Sequence, residues 1–209
     1  MKLYVMRHGE TDWNKERRLQ GQADVPLNEF GRILARETAK GMASINFHAA
    51  YSSPLMRAWE TAELIVAKRD IPVVADERLK EMSFGPYEGL CCANDNWEIP
   101  DDGFVHFFTA PNRYQPPEGG DSFSEVQNRV ASLIEEMIRI HPSDSNILMV
   151  GHGVVVGAFL AIADRRPLVD FWKDKVQKNC AVNILEAADN ECRILEKGII
   201  YYDEKVKNW

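Results

Sequence analysis

The sequence predicts an α/β fold: a three-layer sandwich with a mostly parallel central sheet, helices on both faces and a small irregular lid insertion. Three features predict it. Short apolar runs of strand length alternate with stretches of helical period along most of the chain, the pattern of parallel strands joined by right-handed crossovers. Residues 3–6 are apolar throughout, as a buried strand is. One stretch, residues 88–118, obeys neither period.

Taken in order, residues 3–6 form the first strand. Asn28 caps a helix whose stripe is Phe30, Leu34, Thr38 and Met42. Residues 49–52 are a second strand. Pro54 suits the first turn of the next helix with Ser53 as its cap, and Leu55, Trp59, Ala62 and Val66 line one face. Residues 71–75 are a third strand. Ser122 and Glu125 form a capping box that opens a long helix with the stripe Phe123, Val126, Val130, Leu133, Met137 and Ile140, ended by His141-Pro142. Residues 146–150 are a strand running into Gly151-His152-Gly153 and a helix of small apolar residues. Residues 180–185 and 193–200 close the sheet, as a hairpin through Asp189-Asn190, and the polar tail 203–209 frays.

Apolar residues at 45% and charged residues at 27% are ordinary for a globular chain, and 209 residues suffice for one sizeable core. The expectation is one domain over residues 1–209, with residues 88–118 as a lid inserted in it. That stretch holds Trp97, Phe104, Phe107, Phe108 and Tyr114 with acids at Asp95, Glu98, Asp101 and Asp102. No internal repeat or low-complexity tract is visible.

A net charge of −7 argues against nucleic acid or an anionic membrane as partner, so an anionic substrate must be drawn by a local cluster of cations. Cys91, Cys92, Cys180 and Cys192 show neither a C-x-x-C pair nor zinc-ligand spacing, which suits reduced thiols in the cytoplasm. The apolar N-terminal run is too short for a signal peptide, and no run is long enough to span a bilayer. The sequence leaves the oligomeric state open, a homodimer being compatible with it.

Ligands of parallel sheets sit beyond the carboxyl ends of the strands. Arg7-His8, Arg57 and His152 all lie there. An arginine in the first turn of a helix opposes the helix dipole, and a bound anion removes that conflict. Gly153 opens a helix whose free N–H groups suit an anion. Two arginines match the roughly two negative charges of a phosphomonoester, with forked donors for its oxygens. Of two imidazoles in that company, one is able to attack and the other to donate to phosphoryl oxygens. Neighbouring cations push His8 below the ordinary value of about 6.5, leaving it a free base near neutrality.

The segments MRHGETDWN, Leu27-x-x-x-Gly31, SSPLMRAWET, RLKEMSFGPYEG and MVGHG, in that order, resemble the histidine phosphatase superfamily with its phosphoglycerate mutase-like fold. The likeness runs from about residue 3 to Asn179-Cys180-Ala181. It implies that His8 is the phosphorylated nucleophile and that Arg7, Arg57 and His152 form the phosphate pocket. Asn14 is then a contact to a phosphate oxygen, Gln20 and Gly21 face the substrate, and Glu81 protonates the leaving alcohol and later activates water. Two departures stand out. The family's Gly-Glu-Ser before the long helix is Gly120-Asp121-Ser122, and Val154-Val155-Val156-Gly157 follows the GHG where many members carry an arginine.

The implied function is metal-independent hydrolysis of a small-molecule phosphomonoester through a phosphohistidine, needing no cofactor. A metallophosphatase would want clustered carboxylates, and only Glu10 and Asp12 lie close in sequence to either histidine. Within the lid, residues 90–117 carry Arg113 against four acids, which favours an apolar, aromatic or amine-bearing alcohol over a bisphosphorylated sugar acid. An alpha-ribazole phosphatase-like or broad-specificity phosphatase fits. Mutase-type phosphoryl transfer and a non-catalytic member that binds a phospho-ligand or partner stay open.

Overall fold

The computed structural model describes residues 1–189 and 191–203. Its strands are β1 (Lys2–Arg7), β2 (Ala49–Ser52), β3 (Val73–Ala75), the two-residue β4 (Cys92–Ala93) and β5 (Asn96–Trp97), β6 (Asn146–Gly151), β7 (Val182–Ala188) and β8 (Glu191–Ile199). The helices are α1 (Asp12–Lys15), α2 (Glu29–Gly41), α3 (Met56–Val66), α4 (His106–Thr109), α5 (Phe123–Ile140) and α6 (Gly153–Ala163). Six strands form one sheet in the order β3-β2-β6-β1-β7-β8. β3, β2, β6 and β1 are parallel neighbours; β7 runs antiparallel to β1, and β8 antiparallel to β7. The sheet is thus mostly parallel, with an antiparallel edge.

Alternation of side chains across β1 and β6 sorts the core into two layers. Leu3, Val5, Ile147 and Met149 pack with residues of α5 and α6. Tyr4, Met6, Leu148 and Val150 pack with residues of α2 and α3. Both central strands are therefore covered on both sides, which accounts for their unbroken apolar runs. Among the described residues, no helix is long and apolar enough to cross a membrane.

Several local expectations need correction. The third strand begins at Val73 and not at residue 71. Ser53 does not cap α3; the cap is Leu55, without a side-chain bond, and the first free N–H, on Met56, donates to Asp24 Oδ1 at 2.7 Å. Leu55, Ala62 and Val66 are buried as expected, but Trp59 is only half-buried, and the buried face of α3 also takes in Arg57, Ala58, Thr61 and Ile65. Counting apolar residues misses a face that contains a buried cation. On α5 the Ser122–Glu125 box forms and the stripe holds as far as Met137, whereas Ile140 is 45% exposed. The short α1, closed by a capping box between Thr11 and Asn14, was not foreseen. The turn through Asp189-Asn190 lies partly outside the described residues, as does the tail beyond Asp203.

The stretch 88–118 is more ordered than an irregular lid. It holds the β4–β5 hairpin, α4 and single helical turns at Asp102–Val105 and Pro111–Arg113. Phe104 and Phe107 are buried. The Phe107 ring lies 5.2 Å from Phe84, 5.3 Å from Phe123 and 5.4 Å from Trp172, centroid to centroid. Such pairs contribute about 0.5–1.5 kcal/mol each beyond burial. Trp172 Nε1–H also donates to the Phe107 carbonyl at 2.6 Å. Aromatics without a regular period have become core.

Candidate active site

Strand register brings the two histidines together. β1 and β6 lie side by side with Arg7 opposite Gly151, so the next residue on each strand, His8 and His152, emerges at the same edge. Their ring centroids are 5.1 Å apart. β2 ends beside them, Ser52 opposite Val150, and delivers Ser53. The loop after His8 is held by Gly9 N–H donating to Thr61 Oγ at 3.0 Å, while Thr61 donates to the Arg57 carbonyl at 2.6 Å. Gly31 lets α2 press against the Gly9-Glu10 backbone, where a Cβ would collide with Glu10. That contact explains the Leu27-x-x-x-Gly31 spacing.

Hydrogen bonds fix the tautomer of each ring. A carbonyl only accepts, so the 2.6 Å contact of His8 Nδ1 with the Gly9 oxygen places the proton on Nδ1 and leaves a lone pair on Nε2. Burial first, then Arg57 and Arg7, hold His8 well below its ordinary pKa. The expected direction is right, but burial outweighs the cations as its cause. His152 is arranged the other way round. Its Nε2 lies 2.8 Å from the hydroxyl of fully buried Ser53, whose oxygen already accepts Leu55 N–H at 3.3 Å. The Ser53 hydroxyl has its proton free for Nε2, and in that arrangement Nδ1 carries the ring proton. Nδ1 is buried with no protein partner, a donor suited to an oxyanion. Burial and then Arg57 also hold His152 well below its ordinary pKa.

The arginines frame this edge. Arg57 is fully buried and donates to the Gly21 carbonyl at 2.6 Å and the Ala23 carbonyl at 2.7 Å. Arg7 donates to the Gln177 carbonyl at 2.9 Å. In both side chains Nε is buried and unpartnered. Burial lowers both pKa values, that of Arg57 to about 10, which leaves Arg57 a cation near neutrality. Asn14 Oδ1 accepts from Thr11 N–H at 3.2 Å, Thr11 Oγ at 3.3 Å and Asn179 Nδ2 at 3.2 Å, which leaves its NH2 for an oxygen ligand. Gln20 is buried and accepts from Thr11 Oγ at 3.0 Å. Gly21 has φ +51°, and a Cβ there would run into the Glu88 carboxylate. Glu88 itself accepts from Gln22 N–H at 2.9 Å, Ala23 N–H at 2.7 Å and Phe84 N–H at 3.1 Å, cinching the 20–23 loop.

Glu81 is 8% exposed, and its carboxylate accepts from Met82 N–H at 2.9 Å and Val154 N–H at 3.2 Å. Burial raises its pKa; those two bonds and Arg57 oppose it and lose. The N-terminus of α6 thus serves Glu81 through Val154, and both Gly153 and Val154 line the cavity. From behind, Arg129 on α5 donates to the carbonyls of Arg78 and Lys80, holding the segment that presents Glu81. Asp121 accepts from Ser83 N–H at 2.9 Å, so the shorter acid of Gly120-Asp121-Ser122 grips the loop that follows Glu81.

All nine residues expected at the site come together. Arg7, His8, Asn14, Gln20, Gly21, Arg57, Glu81 and Gly153 line one cavity of about 130 Å3, and His152 lies behind it against His8. Among the described residues no group of three or more His, Cys, Asp or Glu is placed to hold a metal. Sequence reasoning missed Ser53, Thr61, Glu88 and Asn179. Asn179 Nδ2 donates to the carbonyls of His8 at 3.0 Å and Gly9 at 3.2 Å, tying the nucleophile loop to a segment 171 positions away. All four stood in quoted motifs, Ser53 read only as a helix cap and the other three without a role. The lid acids do not face the cavity: Asp95, Glu98 and Asp102 are exposed, Glu98 pairs with Arg18 at 3.1 Å, and Asp101 accepts from Gly103 N–H.

The family model described as "Histidine phosphatase superfamily (branch 1)" matches residues 3–199. Phosphoglycerate mutase-like protein 4 of Arabidopsis thaliana is 32% identical over 193 residues, covering 90% of this chain and 80% of that protein. The solved structure of Bacillus stearothermophilus YhfR is similar at a TM-score of 0.89 and 34% identity, over 99% of both chains. A mycobacterial glucosyl-3-phosphoglycerate phosphatase complexed with VO3 is similar at a TM-score of 0.84 and 28% identity, over 94% of this chain and 98% of that one.

Proposed function

The chain belongs to branch 1 of the histidine phosphatase superfamily, and on that premise we propose that it hydrolyses a small-molecule phosphomonoester through a phosphohistidine on His8, without a metal. One observation carries the proposal: His8 Nδ1–H is spent on the Gly9 carbonyl, so a free-base Nε2 remains in a cavity framed by two buried guanidinium groups.

In the first step the His8 Nε2 lone pair attacks phosphorus in line. The ester P–O bond breaks, and the departing alcohol takes the Glu81 proton. Arg7, Arg57, the Asn14 amide and His152 Nδ1–H hold the phosphoryl oxygens. The Gly9 carbonyl stabilises the charge that forms on the phosphorylated ring. In the second step water gives a proton to Glu81 and attacks phosphorus, the P–N bond breaks, and inorganic phosphate leaves. General acid assistance of this kind is worth about 10²–10⁴ in rate. The raised pKa of Glu81 supports its starting protonated. Residues 1–209 act as one domain in this reading, with residues 88–118 covering the site, and a cytoplasmic setting suits the four free thiols.

The similarity to a phosphatase complexed with VO3 supports the hydrolase reading. The name of the Arabidopsis relative keeps mutase-type transfer as the second reading. A panel of phosphomonoesters that includes 3-phosphoglycerate and its bisphosphate, scored for phosphate release and for transfer, separates them. Phosphate release lost in His8→Ala is the expected result. Transfer without release would replace hydrolase by mutase, and binding without either would mark a non-catalytic member.

A further inference from the structure

The inner cavity of about 130 Å3 has room for a phosphoryl group and little more, so the alcohol half of a substrate must lie outside it. A second compartment of about 370 Å3 adjoins it, Arg7, Asn14, Arg18, Cys92 and Phe108 lining both. Its walls come from α1 and its following turn on one side and from the β4–β5 hairpin and α4 on the other. Trp13, Trp97 and Phe108 supply flat apolar surface. No carboxylate lines it; Asp102 belongs to a neighbouring depression.

Arg17 and Arg18 both line this compartment, but only one is free. Arg18 is committed to Glu16 at 2.8 Å, the Gly89 carbonyl at 2.8 Å and Glu98 at 3.1 Å. Arg17 makes no side-chain hydrogen bond or ion pair among the described residues. Its backbone is nonetheless fixed, and unusually so. Its φ is +56°, an uncommon conformation for a residue with a Cβ. Arg17 N–H donates to the Asn14 carbonyl at 3.1 Å, and the Arg17 carbonyl accepts Cys92 N–H at 2.9 Å from the hairpin. A strained turn clasped between the two walls thus holds an unpaired cation at the mouth of an acidic protein.

Resting on the phosphomonoesterase reading, we propose that this compartment binds the alcohol half of the substrate, that the alcohol has a flat apolar part bearing an anionic group, and that Arg17 recognises that group. The lid acids that seemed to disfavour an anionic alcohol from sequence alone stand outside this compartment. Arg17 reaches the anion and not the phosphorus, so it sets specificity and leaves the chemistry to the inner cavity.

The test compares 4-carboxyphenyl phosphate with phenyl phosphate, in wild type, Arg17→Lys, Arg17→Gln and Arg17→Glu. The readout is the change, from wild type to variant, in the ratio of kcat/KM for the two esters, a comparison in which their different leaving groups cancel. In Arg17→Glu the ratio is expected to fall about tenfold or more, chiefly through KM for the carboxylated ester. Arg17→Gln should lie between, Arg17→Lys should stay near wild type, and added salt should shrink the wild-type preference. A ratio unchanged in Arg17→Glu while phenyl phosphate is still cleaved overturns the subsite alone. If wild type cleaves neither ester nor any other member of the phosphomonoester panel, the phosphomonoesterase reading falls with it.

Discussion

His8 and His152 lie with ring centroids 5.1 Å apart, and their hydrogen bonds assign them opposite tasks. His8 donates Nδ1–H to a carbonyl and keeps a lone pair; His152 Nε2 faces the Ser53 hydroxyl at 2.8 Å, and with that hydroxyl as donor the ring keeps its N–H on Nδ1. Ser53→Ala removes the bond that fixes this second tautomer. kcat is expected to fall about tenfold, and in His152→Ala by about 10²–10³, the loss typical of a removed oxyanion donor. Steady-state kinetics with one alkyl phosphate check both; an unaltered kcat in both variants would remove His152 from the phosphoryl pocket.

Burial raises the pKa of Glu81 and lowers that of His8. The first step needs His8 as free base and Glu81 as acid. Activity therefore rises as pH climbs through the depressed His8 value and falls as it climbs through the raised Glu81 value. Glu81→Gln should abolish the descending limb and cut kcat for an alkyl phosphate by about 10²–10⁴. With p-nitrophenyl phosphate, whose leaving group needs no proton, the initial burst should survive while turnover slows. A burst lost together with turnover would argue against the acid role.

Arg129 holds the carbonyls of Arg78 and Lys80, and its charge lowers the pKa of Glu81. Removing a cation near a carboxyl raises the carboxyl's pKa. In Arg129→Gln, which keeps donors for the carbonyls, the descending limb of the pH profile should move to higher pH, and Arg129→Lys should restore its position. A uniform loss of activity at every pH would mean that Arg129 only braces the loop.

Arg57 has no exposed surface, and its fork satisfies the buried carbonyl of Gly21 and the part-buried carbonyl of Ala23. Arg57→Lys keeps the charge and loses the fork. Leaving one carbonyl unpaired is expected to cost about 1–3 kcal/mol. Thermal melts with and without orthovanadate check the binding half. Saturation at about a hundred times Kd stabilises by about 2.7 kcal/mol, and the variant should need distinctly more vanadate for the same shift. An equal response in both proteins would separate Arg57 from oxyanion binding.

Most of the sheet was legible because a buried strand is a local pattern, and Arg7, His8 and His152 stood out as residues at the carboxyl ends of such strands. Asn14, Gln20, Gly21 and Glu81 lie in loops or in the short α1, where no period marks them, and they were expected only from the family resemblance. Ser53 and Asn179 were not legible as site residues. Their partners, His152 and the carbonyls of His8 and Gly9, are 99 to 171 positions distant. The α3 face was read only in part: Ala62 and Val66 are buried as the period predicts, but Arg57 is buried where periodicity expects an apolar residue. The 88–118 stretch read as irregular since its aromatics follow no period, yet Phe104 and Phe107 find their neighbours on other segments, among them Phe84, Phe123 and Trp172.

The most direct test is to mix enzyme with a 32P-labelled phosphomonoester, quench within milliseconds in alkali, where phosphoimidazole survives, and map the label by peptide sequencing. The label should appear in the Met6–Glu10 segment at a single histidine, His8, bonded through Nε2, and disappear in His8→Ala. Label on another side chain, or full turnover with no protein-bound phosphate at any time, would contradict a covalent route through that imidazole.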